Sequence, residues 1–467
     1  MNNSRRDLFK LVGVGAAAAA LGTTAIIAAP ATKGAGKGTD KLLGKHQVLI
    51  IGGGWSGLTV AKELKKIDPT FDVAIIEKNS KFISCPMSNA KLGGVKGIDM
   101  AFLTHQYAPT KAKYKYGMLN AEVTSIDRVA KVVHTTKGAV GYDMLVLAPG
   151  IEYNYKGQFP AWNDAKIAKA RKLTPAALIS TEHEGFDKIV KGMKGGDFVI
   201  TVPAGKYRCP PAPFERATMI ANMMKNKGIK GKVIILNETA EVAKGAAFKE
   251  TWKDLYPEIV VYNANSVTKD IDFAKKTITY EETVFANKDD LEGVKTTKTI
   301  PYAVLNFIPH NMSHPTIALS GVETTKDGFK KVKMATSEAK PVSYQTASDA
   351  SVYAVGDVVG HAIPPSGQAA IWSGKVAAKE IAHVLHGKSF SVASVLPFKS
   401  ANVCFSMVNS NPEQGIMVNH EFMVQGPVIG SKGSVPKGDT VNDKFRAASF
   451  GGATRDWYRG AMKDLFN

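Results

Sequence analysis

A strand, a glycine-rich turn and a helix follow one another near the start of this 467-residue chain, and they restrict its fold more than any other feature. Residues 46–64 read as a buried strand that enters the turn Gly52-x-Gly54-x-x-Gly57, which contains Ser56, and continues as an amphipathic helix. Glycines at these positions let backbone N–H groups approach a pyrophosphate at the N-terminus of the helix. The pattern predicts a dinucleotide-binding domain, with these glycines and Ser56 at the phosphates.

A second strand and an acid complete the pattern. Residues 71–77 are mostly apolar and end in Glu77, which stands about 20 residues past the last glycine, where a ribose hydroxyl would be bound. Strand, glycines, helix, strand and acid in this order indicate a bound dinucleotide. A glycine-rich turn without a ligand is the minor alternative.

Two later segments indicate which dinucleotide is bound. Residues 142–150 read as a buried strand that ends in a Pro-Gly turn at Gly150, and residues 352–357 end in Gly356 and Asp357. Both segments resemble further signatures of two-dinucleotide-domain flavoproteins, in which the acid of the late motif contacts the ribityl chain of the flavin. The resemblance implies FAD, with Gly150, Gly356 and Asp357 among its contacts.

The second dinucleotide half has an altered turn. Residues 197–236 show the expected strand, helix and strand, but residues 203–213 between them contain one glycine and four prolines. Prolines remove N–H donors and stiffen the loop that would have to wrap a pyrophosphate. NAD(P)H is therefore not expected as the electron donor. The turn carries Cys209 instead, which suggests a donor that reacts with sulfur.

The chain has three cysteines, and their number alone does not separate redox cysteines from buried, inert thiols. Their surroundings are Cys85-Pro-Met-Ser-Asn89, Arg208-Cys-Pro-Pro-Ala-Pro-Phe-Glu-Arg216 and Asn402-Val-Cys-Phe-Ser406. These motifs, in this order from about residue 46 onward, resemble the flavoprotein subunit of flavocytochrome c sulfide dehydrogenase, a family similar to the sulfide:quinone reductases.

This resemblance implies a role for each cysteine. Cys85 would hold FAD through a thioether to the flavin 8α-methyl group. Cys209 and Cys404 would form a redox disulfide over the face of the flavin, with Glu215 as an acid near that disulfide. The family also implies an α/β fold with two Rossmann-like domains, in which the FAD domain is discontinuous and the NAD-like domain lacks NAD, plus a small C-terminal α+β domain.

The same roles agree with sulfur chemistry. HS⁻ is a nucleophile that attacks a disulfide, expels a thiolate and leaves a persulfide on the other cysteine. The thiolate or the persulfide can then pass an electron pair to a flavin, so sulfide is oxidised to sulfur or polysulfide. The chain has no Cys-x-x-Cys-His motif for a haem of its own. A separate c-type cytochrome subunit is the partner that the resemblance implies.

The expected domain boundaries follow from these motifs. We expect a signal at 1–30, a linker at 31–45, the FAD-binding domain at 46–155 and 301–385, the NAD-like domain at 156–300, and a C-terminal domain that covers the flavin and contacts the cytochrome at 386–467. Residues 302–311 read as the strand and loop that return to the FAD domain.

The first residues resemble a twin-arginine export signal. Arg5 and Arg6 precede an apolar run, rich in alanine and glycine, that ends near Pro30. Such signals export proteins that have already folded around a cofactor, which predicts a periplasmic protein. An uncleaved membrane anchor is the alternative, since the run is about long enough to span a bilayer.

The chain is basic, with 60 Lys and Arg against 41 Asp and Glu and a formal charge of +19. The charge is scattered and an exported protein does not meet DNA, so a nucleic-acid partner is not expected. Attraction of anionic sulfide or polysulfide, or of an acidic protein, is one explanation, and a solvated basic surface is as good a one. The dispersed histidines give no metal-ligand spacing, and no metal site is expected.

Two alternatives to sulfide oxidation with a cytochrome acceptor are retained. A sulfide:quinone reductase would need an apolar or amphipathic C-terminal membrane surface, for which residues 457–466 are a short candidate. A flavin-binding electron-transfer protein without turnover would show flavin spectra that sulfide does not bleach.

Overall fold

The computed structural model describes residues 41–287, 289–322, 324, 343–360, 363–388, 401–425 and 428–467, without the side chains of 401 and 422–431. The expected export signal and residues 31–40 of the expected linker lie outside the described residues. Within the described ranges, no helix has the length and apolarity that a membrane crossing requires.

The strands and helices follow in chain order, in one set up to residue 191 and a second set from residue 198. The first is β1 (Leu42–Ile51), α1 (Trp55–Ile67), β2 (Val73–Glu77), β3 (Lys81–Ile83), α2 (Ser88–Leu92), α3 (Met100–Leu103), β4 (Thr104–Gln106), α4 (Tyr107–Tyr114), β5 (Gly117–Asn120), β6 (Val123–Asp127), β7 (Val132–Thr135), β8 (Gly138–Leu147), β9 (Ile151–Tyr153), α5 (Tyr155–Gln158), α6 (Asp164–Leu173) and α7 (His183–Lys191). The second is β10 (Phe198–Val202), α8 (Ala212–Lys227), β11 (Val233–Asn237), α9 (Gly245–Leu255), β12 (Val260–Asn263), β13 (Ser266–Asp272), β14 (Thr277–Val284), β15 (Val294–Pro301), β16 (Val304–Asn306), β17 (Asn311–Ser313), β18 (Val352–Ala354), α10 (Gly367–Leu385), β19 (Ala401–Ser410), β20 (Glu413–Gln425), β21 (Val428–Ser434) and α11 (Ala448–Phe466).

The first sheet comes from the segments predicted as the FAD domain, except that β1 begins at Leu42, inside the expected linker 31–45. Its strand order is β5-β2-β1-β8-β7-β6, with β18 also paired to β8. β1 is parallel to β2 and β8, and β18 is parallel to β8. Residues 48–51 of β1 are at most 4% exposed, as in a parallel sheet covered on both faces. α1 and α10 pack against each other beside this sheet.

The second sheet forms the predicted NAD-like domain. It is parallel, with the order β12-β11-β10-β16. The predicted strand, helix and strand of residues 197–236 are confirmed as β10, α8 and β11. An antiparallel sheet of β13, β14 and β15 follows. The expected α/β class with two Rossmann-like domains is therefore confirmed.

The return to the FAD domain differs from the prediction. β16, which lies inside the predicted returning segment 302–311, pairs in parallel with β10 and belongs to the second sheet. After β16 the chain forms β17, which pairs with β9, and it rejoins the first sheet at β18, which pairs with β8. A short apolar strand that is buried on both faces fits either sheet, so the sequence alone does not decide its partner.

The C-terminal part packs on both domains. β19, β20 and β21 form an antiparallel sheet, and α11 lies against β20. Adjacent residues of β19 enter the two different hydrophobic cores, Met407 that of the FAD domain and Val408 that of the NAD-like domain. Since successive side chains of a strand point to opposite faces, β19 joins the two cores directly beside Cys404. Residues 389–400, which include part of the expected start of this domain, lie outside the described residues.

Candidate active site

The glycine turn has the geometry of a phosphate-binding turn. Gly52 has φ +105°, and a Cβ there would lie 2.4 Å from the carbonyl oxygen of Ala148. A Cβ on Gly57 would lie 1.9 Å from the carbonyl oxygen of Gly52. A Cβ on Gly54 would meet no protein atom within 4 Å. Gly52 and Gly57 thus permit close backbone packing, while Gly54 leaves open space at the N-terminus of α1, as a bound pyrophosphate requires.

Glu77 ends β2 directly beside this turn. Its Oε2 accepts a hydrogen bond from the backbone N–H of Gly53 at 2.7 Å, and its Oε1 accepts from the backbone N–H of Asn79 at 2.7 Å. Nδ2 of Asn79 also donates to Oε1 at 2.6 Å. A carboxylate has about four acceptor positions, so about one is left on Glu77 for a ribose hydroxyl. Its burial, at 9% exposed, fixes the side chain in this place.

The late motif reaches the same region. Gly356 has φ +75° and a Cβ there would lie 2.6 Å from Oγ of Ser56, so the two predicted contacts touch. Asp357 follows in a short 3₁₀ helix, and its Oδ2 accepts a hydrogen bond from Nε of Arg208 at 2.5 Å. A Cβ on Gly150 would lie 2.7 Å from Nη2 of the same arginine. Asp357 and Gly150 therefore meet at Arg208.

One cavity of about 430 Å³ joins these features, within the range typical of cofactor sites. Its wall is contributed by the FAD domain, the NAD-like domain and the C-terminal part. Most of the predicted site residues line it, namely Gly52, Gly54, Ser56, Glu77, Cys85, Gly150, Cys209, Glu215, Asp357 and Cys404. Gly57 and Gly356 are not part of the wall and stand behind it, where they allow the close packing just described.

Cys85 lies on the wall between β3 and α2. Its Sγ is 3.2 Å from the carbonyl oxygen of Leu178, and Nη1 of Arg208 is 3.9 Å from the same sulfur. Burial raises the pKa of the Cys85 thiol, and the charge of Arg208 opposes that rise. Because the thiolate is the reactive form of a cysteine, Arg208 favours reactivity at Cys85.

Cys209 and Cys404 are brought to the same cavity from different domains. Cys209 has φ +56°, and its backbone N–H donates to the carbonyl oxygen of Pro365 at 3.0 Å. Cys404 lies on β19, opposite Val418 of β20. Burial raises the pKa of Cys209 well above its ordinary value, and Cys404 and Glu215 add to the rise. Both cysteines are partly exposed, free thiols in this structure, so their disulfide stays a prediction.

Glu215 holds the elements around these cysteines together. It lies in the first turn of α8, where its Oε1 accepts from the backbone N–H of Met407 at 2.7 Å and its Oε2 accepts from Nδ2 of Asn89 at 2.9 Å. Burial raises the pKa of Glu215, and these two hydrogen bonds oppose the rise. The carboxyl group thus connects α8 with α2 and with β19, three residues beyond Cys404.

Two arginines of this site were not identified from the sequence. Arg208 pairs with Asp357, and Arg216 is 1% exposed, with its guanidinium donating to the carbonyl oxygens of Ala176 and Ala177, both at 2.6 Å. Burial lowers the pKa of Arg216 to about 10. Both arginines stand inside the quoted cysteine motif, but nothing in the local sequence indicates that their side chains point into the protein.

Two tryptophans form another part of the wall that sequence reasoning missed. Trp457 of α11 stacks on Trp55, with ring centroids 6.0 Å apart and planes 17° apart. The rest of α11 is held on the FAD domain, since Tyr458, Leu465 and Phe466 are at most 4% exposed. The inward face of the C-terminal helix is therefore covered by protein.

The proline-rich turn of the NAD-like domain is closed by internal contacts. Glu238, the acid after β11, accepts at Oε2 from the backbone N–H of Ala204 at 2.8 Å and lies 2.6 Å from Nε2 of His310. Nε2 of Gln158 donates to Oε1 of Glu238 at 3.0 Å. Glu238 is thus engaged on both oxygens by the protein itself. The pKa of His310 is raised by its hydrogen bond to Glu238.

The described residues contain no group of three or more His, Cys, Asp or Glu side chains placed to hold a metal ion. His361, one of the histidines considered from the sequence, lies outside the described residues.

Two family models match adjacent segments of the chain. Residues 46–190 match the model of the pyridine nucleotide-disulphide oxidoreductases, and residues 186–309 match the model described as "Sulfide dehydrogenase (flavocytochrome c) flavoprotein chain, central". The structure of the sulfide:quinone oxidoreductase from Aquifex aeolicus superimposes with a TM-score of 0.67 at 18% identity, covering 90% of this chain and 92% of that one. Fold and cavity thus define a two-dinucleotide-domain protein of the flavoprotein disulphide-oxidoreductase class.

Relatives by sequence narrow the class. The chain is 43% identical to the sulfide dehydrogenase (flavocytochrome c) flavoprotein chain of Chlorobaculum thiosulfatiphilum over 47 residues, which are 10% of this chain and 98% of that sequence. It is 24% identical to the mitochondrial sulfide:quinone oxidoreductase of Dictyostelium discoideum over 314 residues, 65% of this chain but only 64% of that protein's length. The chain belongs to the family of sulfide dehydrogenase and sulfide:quinone oxidoreductase-like flavoproteins.

Proposed function

We propose that this chain is the flavoprotein component of a periplasmic sulfide dehydrogenase, which oxidises sulfide to sulfur or polysulfide and passes the electrons to a c-type cytochrome. One observation carries the proposal. Cys209, on the loop where a nucleotide-binding turn would be, and Cys404, on a strand of the C-terminal sheet, line the same cavity as the glycine turn and Asp357. A pair of cysteines beside a cofactor site is what two-electron oxidation of sulfide needs.

The residues of the cavity fit FAD. The open space at Gly54, the N-terminus of α1 and the buried carboxylate of Glu77 suit a pyrophosphate and a ribose. Asp357 and Gly150 stand beside Arg208, further along the wall. FAD bound there would supply an acceptor for one electron pair. Cys85 on the same wall is the residue that would attach it covalently.

Sulfur chemistry is assigned to Cys209 and Cys404. HS⁻ forms a bond to one sulfur of their disulfide, the bond between the cysteines breaks, and its electron pair leaves on the other cysteine as a thiolate. Glu215 keeps β19 in place next to α8, through its hydrogen bond from the N–H of Met407. Both cysteines are partly exposed, so a small anion such as HS⁻ has access to them.

Sulfide is favoured over NAD(P)H as the donor by the second domain. Glu238, the acid after β11, holds the proline-rich turn through the N–H of Ala204 and connects that turn to Gln158 and His310. The prolines of the adjacent turn cannot donate N–H groups to a phosphate.

A cytochrome is favoured over a quinone as the acceptor. The C-terminal helix α11 would be the membrane surface of a quinone reductase, but its apolar residues Tyr458, Leu465 and Phe466 are buried against the FAD domain. The relative from Chlorobaculum thiosulfatiphilum is named as part of a flavocytochrome c. Sulfide:quinone reduction stays the second candidate, supported by the name of the relative from Dictyostelium discoideum.

Anaerobic turnover with defined acceptors tests the proposal. The purified holoprotein is mixed with sulfide and either a c-type cytochrome or a soluble ubiquinone analogue, and reduction of each acceptor is followed by absorbance. We expect sulfide to reduce the cytochrome and NADH to leave the bound flavin oxidised. Reduction of the quinone alone would assign the second candidate, and bleaching of the flavin by NADH but not by sulfide would overturn both.

A further inference from the structure

Lys244 places a buried positive charge next to the strand that carries Cys404. The residue is 8% exposed and directly precedes α9. Its Nζ donates to the carbonyl oxygen of Cys404 at 2.7 Å and to Oγ of Ser406 at 2.9 Å. Both acceptors are neutral, so these hydrogen bonds hold the ammonium group without cancelling its charge.

The backbone of Lys244 is fixed in an uncommon conformation. Its φ is +60°, in the left-handed region where non-glycine residues are rare. Its carbonyl oxygen accepts from the backbone N–H groups of Ala247 at 3.0 Å and Phe248 at 3.1 Å, which begin α9. A residue kept in this region costs free energy that the surrounding structure must offset. This fixed backbone and the burial of the side chain hold one ammonium group against β19, at the backbone of Cys404.

The charge of Lys244 reaches the groups around Cys209. The titratable and charged groups there are Tyr207 in the same loop, Cys404 on β19, His420 on β20, Glu215 and Arg216 on α8, Lys244 before α9 and Cys85 before α2. Lys244 opposes the rise in the pKa of Cys209 and that of Glu215. It therefore favours the anionic form of a sulfur that burial disfavours.

We propose that Lys244 is a positioning residue for the sulfur chemistry, which stabilises the thiolate expelled when HS⁻ opens the Cys209–Cys404 disulfide. The proposal rests on the function proposed above and adds a residue to it. In the step, HS⁻ forms a sulfur–sulfur bond with one cysteine and the disulfide bond breaks. The disulfide is reduced, the sulfide sulfur is oxidised to the persulfide level and keeps its proton, and the electron pair stays on the other cysteine near the ammonium group.

The test uses charge-removing and charge-keeping variants of the holoprotein. Lys244→Gln removes the charge but can still donate a hydrogen bond, and Lys244→Arg keeps the charge. Lys225→Gln is the matched control. Lys225 is on the same helix as Glu215, and its Nζ also donates to a carbonyl oxygen, that of Leu255, at 3.0 Å. Two rates are measured from pH 6 to 10, namely alkylation of reduced Cys209 and Cys404 by iodoacetamide, read by peptide mass spectrometry, and bleaching of the bound flavin by sulfide.

A loss of thiolate stabilisation has a distinct signature. We expect Lys244→Gln to slow both rates roughly tenfold at pH 7, and both rates to return to the wild-type value when the pH is raised by about one unit. An adjacent cation shifts a thiol pKa by about that much. Lys244→Arg and Lys225→Gln should keep the wild-type pH profiles. Should Lys244→Gln fail to fold, Ser406→Ala, which removes one anchor of the ammonium group, should shift the profiles in the same direction by less.

Two results would overturn this role. One is a Lys244→Gln variant, or in its place a Ser406→Ala variant, with unchanged alkylation profiles. The other is a slower Lys244→Gln variant that raising the pH does not rescue, as expected for a purely structural lysine. Failure of the proposed function is separable, because a wild-type flavin that sulfide never bleaches leaves the alkylation profiles of the two thiols still measurable.

Discussion

At the scale of single residues, Cys85 and Arg208 stand next to each other on the cavity wall. The guanidinium of Arg208 contacts Asp357 at 2.5 Å and approaches the Cys85 sulfur to 3.9 Å, so one cation serves two of the predicted cofactor contacts. A thiol that burial alone would keep protonated is thereby placed beside a charge that favours its thiolate.

The first prediction concerns covalent attachment through Cys85. We expect acid-denatured wild-type protein to keep its yellow colour, whereas Cys85→Ala should bind FAD that is released on denaturation. The absorbance of the pellet and of the supernatant after precipitation measures both. Cys404→Ala is the control that should keep the colour. Flavin that washes off the denatured wild type would leave Cys85 as a packing residue beside the cofactor.

The second prediction concerns the glycines of the turn. A Cβ at Gly57 would lie 1.9 Å from a backbone oxygen, so Gly57→Ala should lower the free energy of unfolding by about 2 kcal/mol or more. A Cβ at Gly54 meets no protein atom within 4 Å, so Gly54→Ala should fold normally. Gly54→Ala should nevertheless retain less FAD, because its methyl group projects into the space assigned to the pyrophosphate.

Denaturant unfolding and the ratio of flavin to protein absorbance separate the two effects. Equal losses of stability in Gly54→Ala and Gly57→Ala, with FAD content unchanged in both, would contradict the assignment of the open space to the cofactor.

At the scale of elements, the turn after β10 differs from the nucleotide-binding turn of a usual second dinucleotide half. The turn that would bind a nucleotide is held by Glu238 and presents Cys209, and β19 from the C-terminal sheet supplies Cys404. The elements of a nucleotide site thus support a pair of sulfur atoms.

The third prediction concerns the pH dependence of the contact between His310 and Glu238. The pKa of His310 is raised in the folded protein, so the contact stabilises fully below the ordinary histidine pKa of about 6.5 and is lost as the pH rises through the higher, folded-state value. His310→Gln should therefore be less stable than wild type near pH 6 and closer to it near pH 9. His310 is 40% exposed on its side chain, so solvent screening keeps the effect below about 1 kcal/mol.

Melting temperatures of wild type and His310→Gln across this pH range measure the effect. In the Glu238→Gln background, the difference in melting temperature between proteins with and without His310→Gln should no longer depend on pH. A difference that grows with rising pH would have the wrong sign and would exclude a stabilising protonated His310.

The sequence predicted the local parts of this arrangement and missed the long-range ones. The glycine turn, Glu77, the altered turn and α8 all have a pattern within one short segment. Contacts between segments far apart in the chain place β16 in the second sheet and Arg208, Arg216 and Trp457 on the cavity wall. Such a contact also brings Lys244 to β19. No local periodicity reports such contacts.

At the scale of the whole molecule, three parts of the chain must be in place before the site exists. The FAD domain supplies the glycine turn and Cys85, the NAD-like domain supplies Cys209 and Glu215, and the C-terminal part supplies Cys404 and covers the cavity with α11. β19 links the two cores beside Cys404. Cofactor binding and the placement of Cys209 and Cys404 therefore both depend on the packing of these three parts.

The measurement that tests the central claim most directly is anaerobic bleaching of the bound flavin by sulfide in wild type, Cys209→Ser, Cys404→Ser and the double variant, each with its FAD content confirmed. A serine hydroxyl neither forms a disulfide nor carries a persulfide, so we predict that each single variant loses at least about a hundredfold in rate and that the double variant is no slower, as for residues that act as one unit. Rapid bleaching of Cys209→Ser at the wild-type rate would contradict the account.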